Sequence, residues 1–128
     1  MRLLLDTHAF LWFVLNDPQS SATAQRLISD PANDVLISPA SYWEVAIKVG
    51  LRKLDLHAPY DDFIQRGLVG NDFAILPIEP RHTSVLTTLP LHHRDPFDRL
   101  IVAQAMVENI PLVSMDAVLD QYPITRLW

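Results

Sequence analysis

Short apolar runs alternate along the chain with longer segments whose apolar positions recur at helical spacing. The short runs predict strands at 2–5, 34–38, 73–78, 111–114 and 124–127. The longer segments predict helices at 9–15, 20–29, 39–49, 60–68, 81–88 and 96–109. Strands that alternate with helices form a parallel sheet covered on both faces. The pattern therefore predicts one α/β domain over residues 1–128, a three-layer α/β/α sandwich around a mainly parallel sheet of about five strands.

The first predicted helix has no polar side, because every position from Ala9 to Leu15 is apolar. A helix that is apolar all round is buried all round, and the sheet covers only one of its faces. We therefore expect a twin subunit or another chain to cover the opposite face, with Trp12 and Phe13 in that contact. The alternative is that the next helix, 20–29, folds over it.

The composition indicates a globular protein, since hydrophobic residues make up 49% of the 128 positions and charged residues 20%. The chain has no cysteine, which excludes thiolate catalysis and disulfides and fits a cytoplasmic location. Asp6 interrupts the N-terminal apolar run, so we expect no signal peptide, and no run approaches the roughly 20 apolar residues of a membrane span. The net charge of -5 counts against a nucleic-acid binder, unless acids gather around a cation.

Acidic residues follow the predicted strands or lie on the helices after them: Asp6, Glu44, Asp98 and Asp116. Because parallel strands end on one edge of the sheet, these acids are expected to converge there. At ~5 Å and an effective dielectric near 20, each pair of carboxylates costs roughly 3 kcal/mol. Either some of them stay protonated or a hard cation lies among them.

Two of these acids have a sufficient structural role if each is taken alone. Asp6 could cap the first helix, although the neighbouring Thr7 could cap it equally well and so free Asp6. Glu44 and Lys48 are spaced i, i+4 in the favourable order, so a solvated ion pair would account for Glu44 completely. In the functional interpretation the same helix face points into the crevice.

Spacing alone does not decide between a structural and a functional role for the other two acids. Asp95 is the predicted N-cap of the long helix, which places Asp98 at N3, where it could serve as a capping-box acid. Asp116 could cap the turn at 117–119. The joint pattern is better evidence than any single acid, because two strand-end aspartates and two helix-borne acids occur in one α/β domain.

Basic residues near these acids are candidates for phosphate contacts from their position alone: Lys48, Arg52, Arg94 and Arg99. The cluster formed by His92, His93 and Arg94 precedes Asp98, and a solvated loop is the favoured interpretation of that cluster.

Four segments resemble the PIN-domain family, and more narrowly the VapC-type toxins of bacterial toxin–antitoxin pairs. They are LLLDTH at 3–8, ISPASYWEVA at 37–46, HRDPFDRLIVAQA at 93–105 and LVSMD at 112–116. The third segment is the most specific of the four. The resemblance extends from end to end of the chain, and the length is similar too.

The resemblance maps the acidic positions of the family onto Asp6, Glu44, Asp98 and Asp116, which favours Asp98 over Asp95. It implies an endoribonuclease that depends on one or two Mg²⁺ or Mn²⁺ ions and hydrolyses phosphodiester bonds in single-stranded or looped RNA. It also implies a homodimer held by a cognate antitoxin that covers the active-site groove. Many relatives carry a basic residue where this chain has Met115, so one RNA contact is missing here if that residue makes one.

Two other classes of function remain as alternatives. A receiver-like signalling domain also gathers acids around Mg²⁺, but it needs an acid pair after the first strand and a lysine after the last core strand. The segments Asp6-Thr7 and Ser114-Met115-Asp116 supply neither of these. A non-catalytic PIN-like scaffold with a decayed site is the second alternative, and the presence of all four acids counts against it.

Overall fold

The structure, a computed structural model, describes residues 1–128. The strands are β1 (Arg2–Leu5), β2 (Asp34–Ile37), β3 (Ala74–Ile75), β4 (Leu112–Val113) and β5 (Arg126–Leu127). The helices are α1 (Thr7–Val14), α2 (Ala22–Ser29), α3 (Pro39–Gly50), α4 (Tyr60–Leu68), α5 (Pro80–Leu86) and α6 (Pro96–Glu108), and a 3₁₀ helix spans Ala117–Gln121. Every predicted strand and helix is present, although β3, β4 and β5 are shorter than the apolar runs that predicted them.

The five strands form one sheet in the order β3-β2-β1-β4-β5, and every pairing is parallel. The predicted α/β class and parallel sheet are therefore confirmed. The chain moves outward from β1 to β3 on one side and returns to the other side with β4 and β5. Open parallel sheets bind ligands where the strand order reverses in this way, beyond the carboxyl ends of the strands. Here that point lies between β1 and β4.

Alternate residues of the strands enter two separate cores, one on each face of the sheet. Leu3 and Leu5 of β1 lie in a core with residues of α1, α2 and α4, whereas Leu4 lies in a core with residues of α5 and α6. This alternation follows from the two-residue period of a strand. Because both faces of the sheet are covered, the strands are apolar at almost every position.

Other segments of the same chain cover most of α1. This result is closer to the alternative, in which the next helix folds over α1, than to our expectation that a second chain covers it. Residues of α2 and α4 share a core with α1, so α2 is only part of the cover. The ring of Trp12 lies 5.9 Å from that of Trp128, and the ring of Phe13 lies 5.9 Å from that of Phe73. Trp12 and Phe13 are half-buried, and a partner contact there stays a prediction.

None of the helices combines the length and the apolar character that crossing a bilayer requires.

Candidate metal centre

Asp6 lies at the carboxyl end of β1 and caps α1. Its Oδ1 accepts a hydrogen bond of 2.8 Å from the N–H of Ala9. The expectation that Thr7 might cap instead was wrong, because Asp6 has the extended backbone of an N-cap and Thr7 is already helical. The hydroxyl of Thr7 instead donates to the hydroxyl of Ser41 on α3. Asp6 is buried, so its second oxygen is also held away from bulk water.

Glu44 lies on the buried side of α3, which begins at Pro39 with Ser38 as N-cap. The side chain pairs with Lys48 through a contact of 2.8 Å between Nζ and Oε2. The residue is only 3% exposed, so the solvated ion pair that the spacing allowed is wrong, although the pair itself exists. The other oxygen, Oε1, is buried without any hydrogen-bond partner. A buried carboxylate oxygen that lacks a partner is costly, so it needs a compensating ligand.

Asp98 lies in the first turn of α6 and takes no part in capping it. Asp95 is the N-cap, as predicted, and its Oδ1 accepts from the N–H groups of Phe97 at 2.8 Å and Asp98 at 3.3 Å. In a capping box the side chain of Asp98 would bond the N–H of Asp95. That N–H instead donates to Nδ1 of His93 at 3.1 Å. The carboxylate of Asp98 is therefore free to face His93, whose Nε2 lies 3.3 Å from Oδ2.

Asp116 follows β4 and caps the 3₁₀ helix, where its Oδ1 accepts from the N–H of Val118 at 3.1 Å. Its Oδ2 lies 2.9 Å from Nε2 of His93. The hydroxyl of Ser114 accepts from the N–H of Asp116 at 3.0 Å. Each oxygen of Asp116 thus has a donor, yet each keeps a second lone pair.

His93 is the residue of this site that the sequence interpretation missed. It is not part of a solvated loop, since its side chain is only 18% exposed. One of its ring nitrogens and one oxygen each of Asp98 and Asp116 lie within 4.8 Å of one another. His93 begins the most specific of the family-like segments, and that was the only available signal. Spacing could not reveal a contact with Asp116, because it depends on how the loop before α6 folds back.

The carboxylates act on one another electrostatically. Burial raises the pKa of Asp98 from 3.8 to about 7, the charges of Asp95, Asp6 and Glu44 add to the rise, and His93 opposes it. Burial likewise raises the pKa of Asp6, and the charge of Asp116 adds to that rise. The hydroxyl of Ser114 and the N–H of Ala9 counteract part of the rise at Asp6. Acids that are distant in the sequence are therefore near enough to influence one another's pKa, and of the four only Asp98 and Asp116 place oxygens in the group with His93.

The basic candidates differ in how free they are. Lys48 is engaged with Glu44, whereas Arg52 and Arg94 are exposed. Arg99 is committed to the loop before α6, because its guanidinium donates to backbone carbonyls of Leu89, Pro90 and His93. The structure therefore gives Arg99 a structural role and leaves its guanidinium little capacity for phosphate.

The donor set fits a divalent cation of the Mg²⁺ or Mn²⁺ type. Its oxygens are carboxylate oxygens, which such hard cations prefer, and no sulfur ligand is present. Burial leaves Oε1 of Glu44 without a partner, and burial together with the charges of Asp95, Asp6 and Glu44 raises the pKa of Asp98; a cation would offset both of these costs. Glu44, Asp6, Asp98 and Asp116 are the residues that could hold the ion.

Solved structures with the same fold include chains from three organisms. The structure of VapBC2 from Rickettsia felis, bound to a DNA fragment from their promoter, has a chain that is 18% identical with a TM-score of 0.71; the match covers 99% of this chain and 98% of that one. A chain in the structure of VapBC-1 from nontypeable Haemophilus influenzae is 17% identical with a TM-score of 0.64, and the match covers 99% of this chain and 97% of that one. A chain in the structure of FitAcB from Neisseria gonorrhoeae is 20% identical with a TM-score of 0.66, and the match covers 98% of this chain and 96% of that one.

No curated protein matches the chain at a significant level. The sequence profile of the PIN domain, in contrast, matches residues 3–124. This match includes all four acids and the strands β1 to β4 except for Arg2, and it ends before β5. The chain belongs to the PIN domain family.

Proposed function

We propose that this chain is the toxin of a toxin–antitoxin pair and acts as a metal-dependent endoribonuclease on single-stranded or looped RNA. Residues 1–128 would form one PIN domain, in which Asp6, Glu44, Asp98 and Asp116 hold one or two Mg²⁺ or Mn²⁺ ions. The observation that carries the proposal is the buried, unpartnered Oε1 of Glu44 beside an aspartate whose pKa is about 7. A decayed site would have no reason to keep such a costly arrangement.

The toxin assignment rests on two kinds of support. The sequence segments resemble VapC-type toxins, and the fold is that of chains from VapBC and FitAB complexes. We therefore propose a cognate antitoxin as the protein partner and a homodimer as the assembly. An RNA substrate implies that the protein acts in the cytoplasm.

The proposed reaction is hydrolysis of a phosphodiester bond, which leaves a 5′-phosphate and a 3′-hydroxyl. A divalent ion would activate the attacking water and neutralise charge on the phosphate. Asp6 and Asp98 supply oxygens from β1 and α6, where burial keeps bulk water away. Lys48 holds one oxygen of Glu44 and leaves the other for the ion or the water. Asp116 is half-exposed, so substrate would approach the ion from its side.

The test is cleavage of a labelled RNA hairpin by the purified chain with Mn²⁺ or Mg²⁺. We expect Asp6→Asn and Asp98→Asn to abolish cleavage, a loss greater than the roughly 10- to 100-fold typical of changes around metal ligands rather than at them. The matched control is Asp95→Asn. Asparagine caps helices as well as aspartate does, so this variant should still cut RNA.

Three outcomes would count against the proposal. Equal cleavage by the wild type, Asp6→Asn and Asp98→Asn would indicate another site or a contaminating nuclease. No metal-dependent cleavage of any RNA by the wild type would favour the non-catalytic scaffold. Labelling of the chain by acetyl phosphate would favour the receiver-like alternative.

A further inference from the structure

The imidazole of His93 bridges two of the four acids. Its Nε2 lies 2.9 Å from Oδ2 of Asp116 and 3.3 Å from Oδ2 of Asp98. These acids belong to separate elements, since Asp98 is in the first turn of α6 and Asp116 follows β4. Two carboxylates placed this close repel each other unless a donor or a cation lies between them. His93 occupies that position.

The hydrogen bond on the other side of the ring decides which nitrogen carries the proton. Nδ1 accepts the N–H of Asp95 at 3.1 Å. A backbone N–H can only donate, so Nδ1 must present a lone pair, and the ring proton is on Nε2. Nε2 therefore donates to Oδ2 of Asp116, and the same protonated nitrogen lies 3.3 Å from Oδ2 of Asp98. A nitrogen that carries a proton has no lone pair for a metal, so in this tautomer His93 is not itself a ligand.

The backbone around His93 is held on both sides, so the ring does not have to be ordered when an ion binds. The N–H of His93 donates to the hydroxyl of Tyr122 at 3.0 Å. The carbonyl of His93 accepts from the guanidinium of Arg99 at 3.3 Å. The hydroxyl of Tyr122 in turn donates to the carbonyl of Pro90 at 2.8 Å, which ties the same loop to the chain after β4.

We propose that His93 is a positioning residue of the metal centre, whose protonated Nε2 bonds Asp116 and faces Asp98, and so keeps the two acids where both can bind one divalent ion. This inference rests on the proposed function and adds to it a residue outside the four acids. Asp116 keeps lone pairs for the ion while it accepts from His93, and the oxygens of Asp98 accept no side-chain hydrogen bond that the ion would have to displace. Hydrogen-bond partners of metal ligands typically contribute 10- to 100-fold in metal affinity, by orienting the ligands before the ion arrives.

The test compares His93→Asn with His93→Gln in the full chain. Each substitution keeps a polar atom at the position of one of the two ring nitrogens. The Oδ1 of asparagine lies where Nδ1 was and can still accept the N–H of Asp95, but asparagine is too short to reach the acids. The amide nitrogen of glutamine reaches the place of Nε2 and can donate to them. Binding of Mn²⁺ to metal-stripped protein is measured by electron paramagnetic resonance of the free ion.

We expect His93→Asn to weaken Mn²⁺ binding by about 10- to 100-fold while the melting temperature of the metal-free protein stays near that of the wild type. We expect His93→Gln to recover most of the affinity. Recovery by glutamine is the result that a purely structural role of His93 would not produce, because glutamine lacks the ring that fits the loop.

Three outcomes would overturn the inference. Wild-type affinity in His93→Asn would mean that the donor does not matter. Equal loss of affinity in both variants, with lowered melting temperatures, would mean that His93 only shapes the loop. Coupling of Mn²⁺ to an imidazole nitrogen in the pulsed spectrum of the wild type would make His93 a ligand rather than a donor. If the wild type binds no Mn²⁺, the proposed function itself fails.

Discussion

Asp98 illustrates how burial changes the chemistry of a single residue. Its carboxyl has a pKa of about 7 in the folded protein, against 3.8 in its ordinary state, chiefly because burial disfavours the charged form. The folded state therefore binds a proton at this position more tightly than the unfolded state does. Stability from this group is complete below the unfolded pKa and is lost as pH rises through about 7.

We predict that the metal-free protein becomes less stable between about pH 5 and pH 8, with Asp98 contributing about 2 to 3 kcal/mol of that loss. Urea unfolding in the presence of a chelator at several pH values measures it. Asp98→Asn should remove this contribution and be more stable than the wild type at the alkaline end. A wild type and an Asp98→Asn variant with parallel pH profiles would contradict the prediction.

At the scale of elements, the loop before α6 is shaped by a side chain of the helix itself. Arg99 lies on α6 and reaches back to the carbonyls of Leu89, Pro90 and His93 and to the hydroxyl of Tyr122. The loop would otherwise leave these carbonyls without partners in a half-buried place. The helix and the loop therefore form one unit, which carries both Asp98 and His93 to the site.

We predict that Arg99→Ala lowers the free energy of unfolding by about 2 to 3 kcal/mol, because several carbonyls lose a charged donor at once. Mn²⁺ binding should weaken as well, since His93 loses its support. Arg94→Ala is the matched control, and its exposed side chain should change stability by no more than ~0.5 kcal/mol. Chemical unfolding of both variants measures the difference, and equal stabilities would contradict it.

The same pair of variants separates structural from RNA-binding arginines. If Arg94 contacts a phosphate, Arg94→Ala should weaken RNA binding without loss of stability. The slope of the logarithm of the binding constant against the logarithm of the salt concentration should become shallower by about one. A filter-binding titration of uncleaved RNA over a range of salt concentrations measures this slope. An unchanged slope would remove Arg94 from the proposed RNA contacts.

At the scale of the whole molecule, the strand order concentrates negative charge at one edge of the sheet. β1 and β4 are neighbours, so Asp6 and Asp116 follow adjacent strands at one edge although they are far apart in the sequence. α3 and α6 add Glu44 and Asp98 to the same edge, so several of the acids behind the net charge of -5 lie together. The repulsion and burial of these acids lower the stability of the fold, and a bound cation would restore it.

We predict that Mn²⁺ stabilises the wild type by about 2.7 kcal/mol when its free concentration is 100 times the Kd. For a domain of this size the melting temperature should rise by roughly 8–12 °C. Thermal melts with Mn²⁺, and with KCl at the same ionic strength, measure the specific part of the shift. Asp98→Asn should show little of it. A wild type whose melting temperature is insensitive to millimolar Mn²⁺ would contradict a preformed site.

The sequence by itself determined the layered architecture and the helix starts, and it supplied the acids as candidates. Apolar runs such as Leu3–Leu5 encode buried strands because both faces of a parallel sheet are covered, and Ser38 and Asp95 encode helix starts because their side chains accept backbone N–H groups. These are local signals, and a pattern along the chain is sufficient to read them. The same kind of signal placed Asp6 and Asp116 at the ends of strands.

Only the tertiary structure decided how those residues are used. The spacing of Glu44 and Lys48 was compatible with a solvated pair, and the packing of α3 buried it and left Oε1 without a partner. The contacts of His93 with the acids and the commitment of Arg99 to the loop depend on where the chain before α6 returns. Burial and contacts between distant segments arise from the whole fold, and no local pattern encodes them.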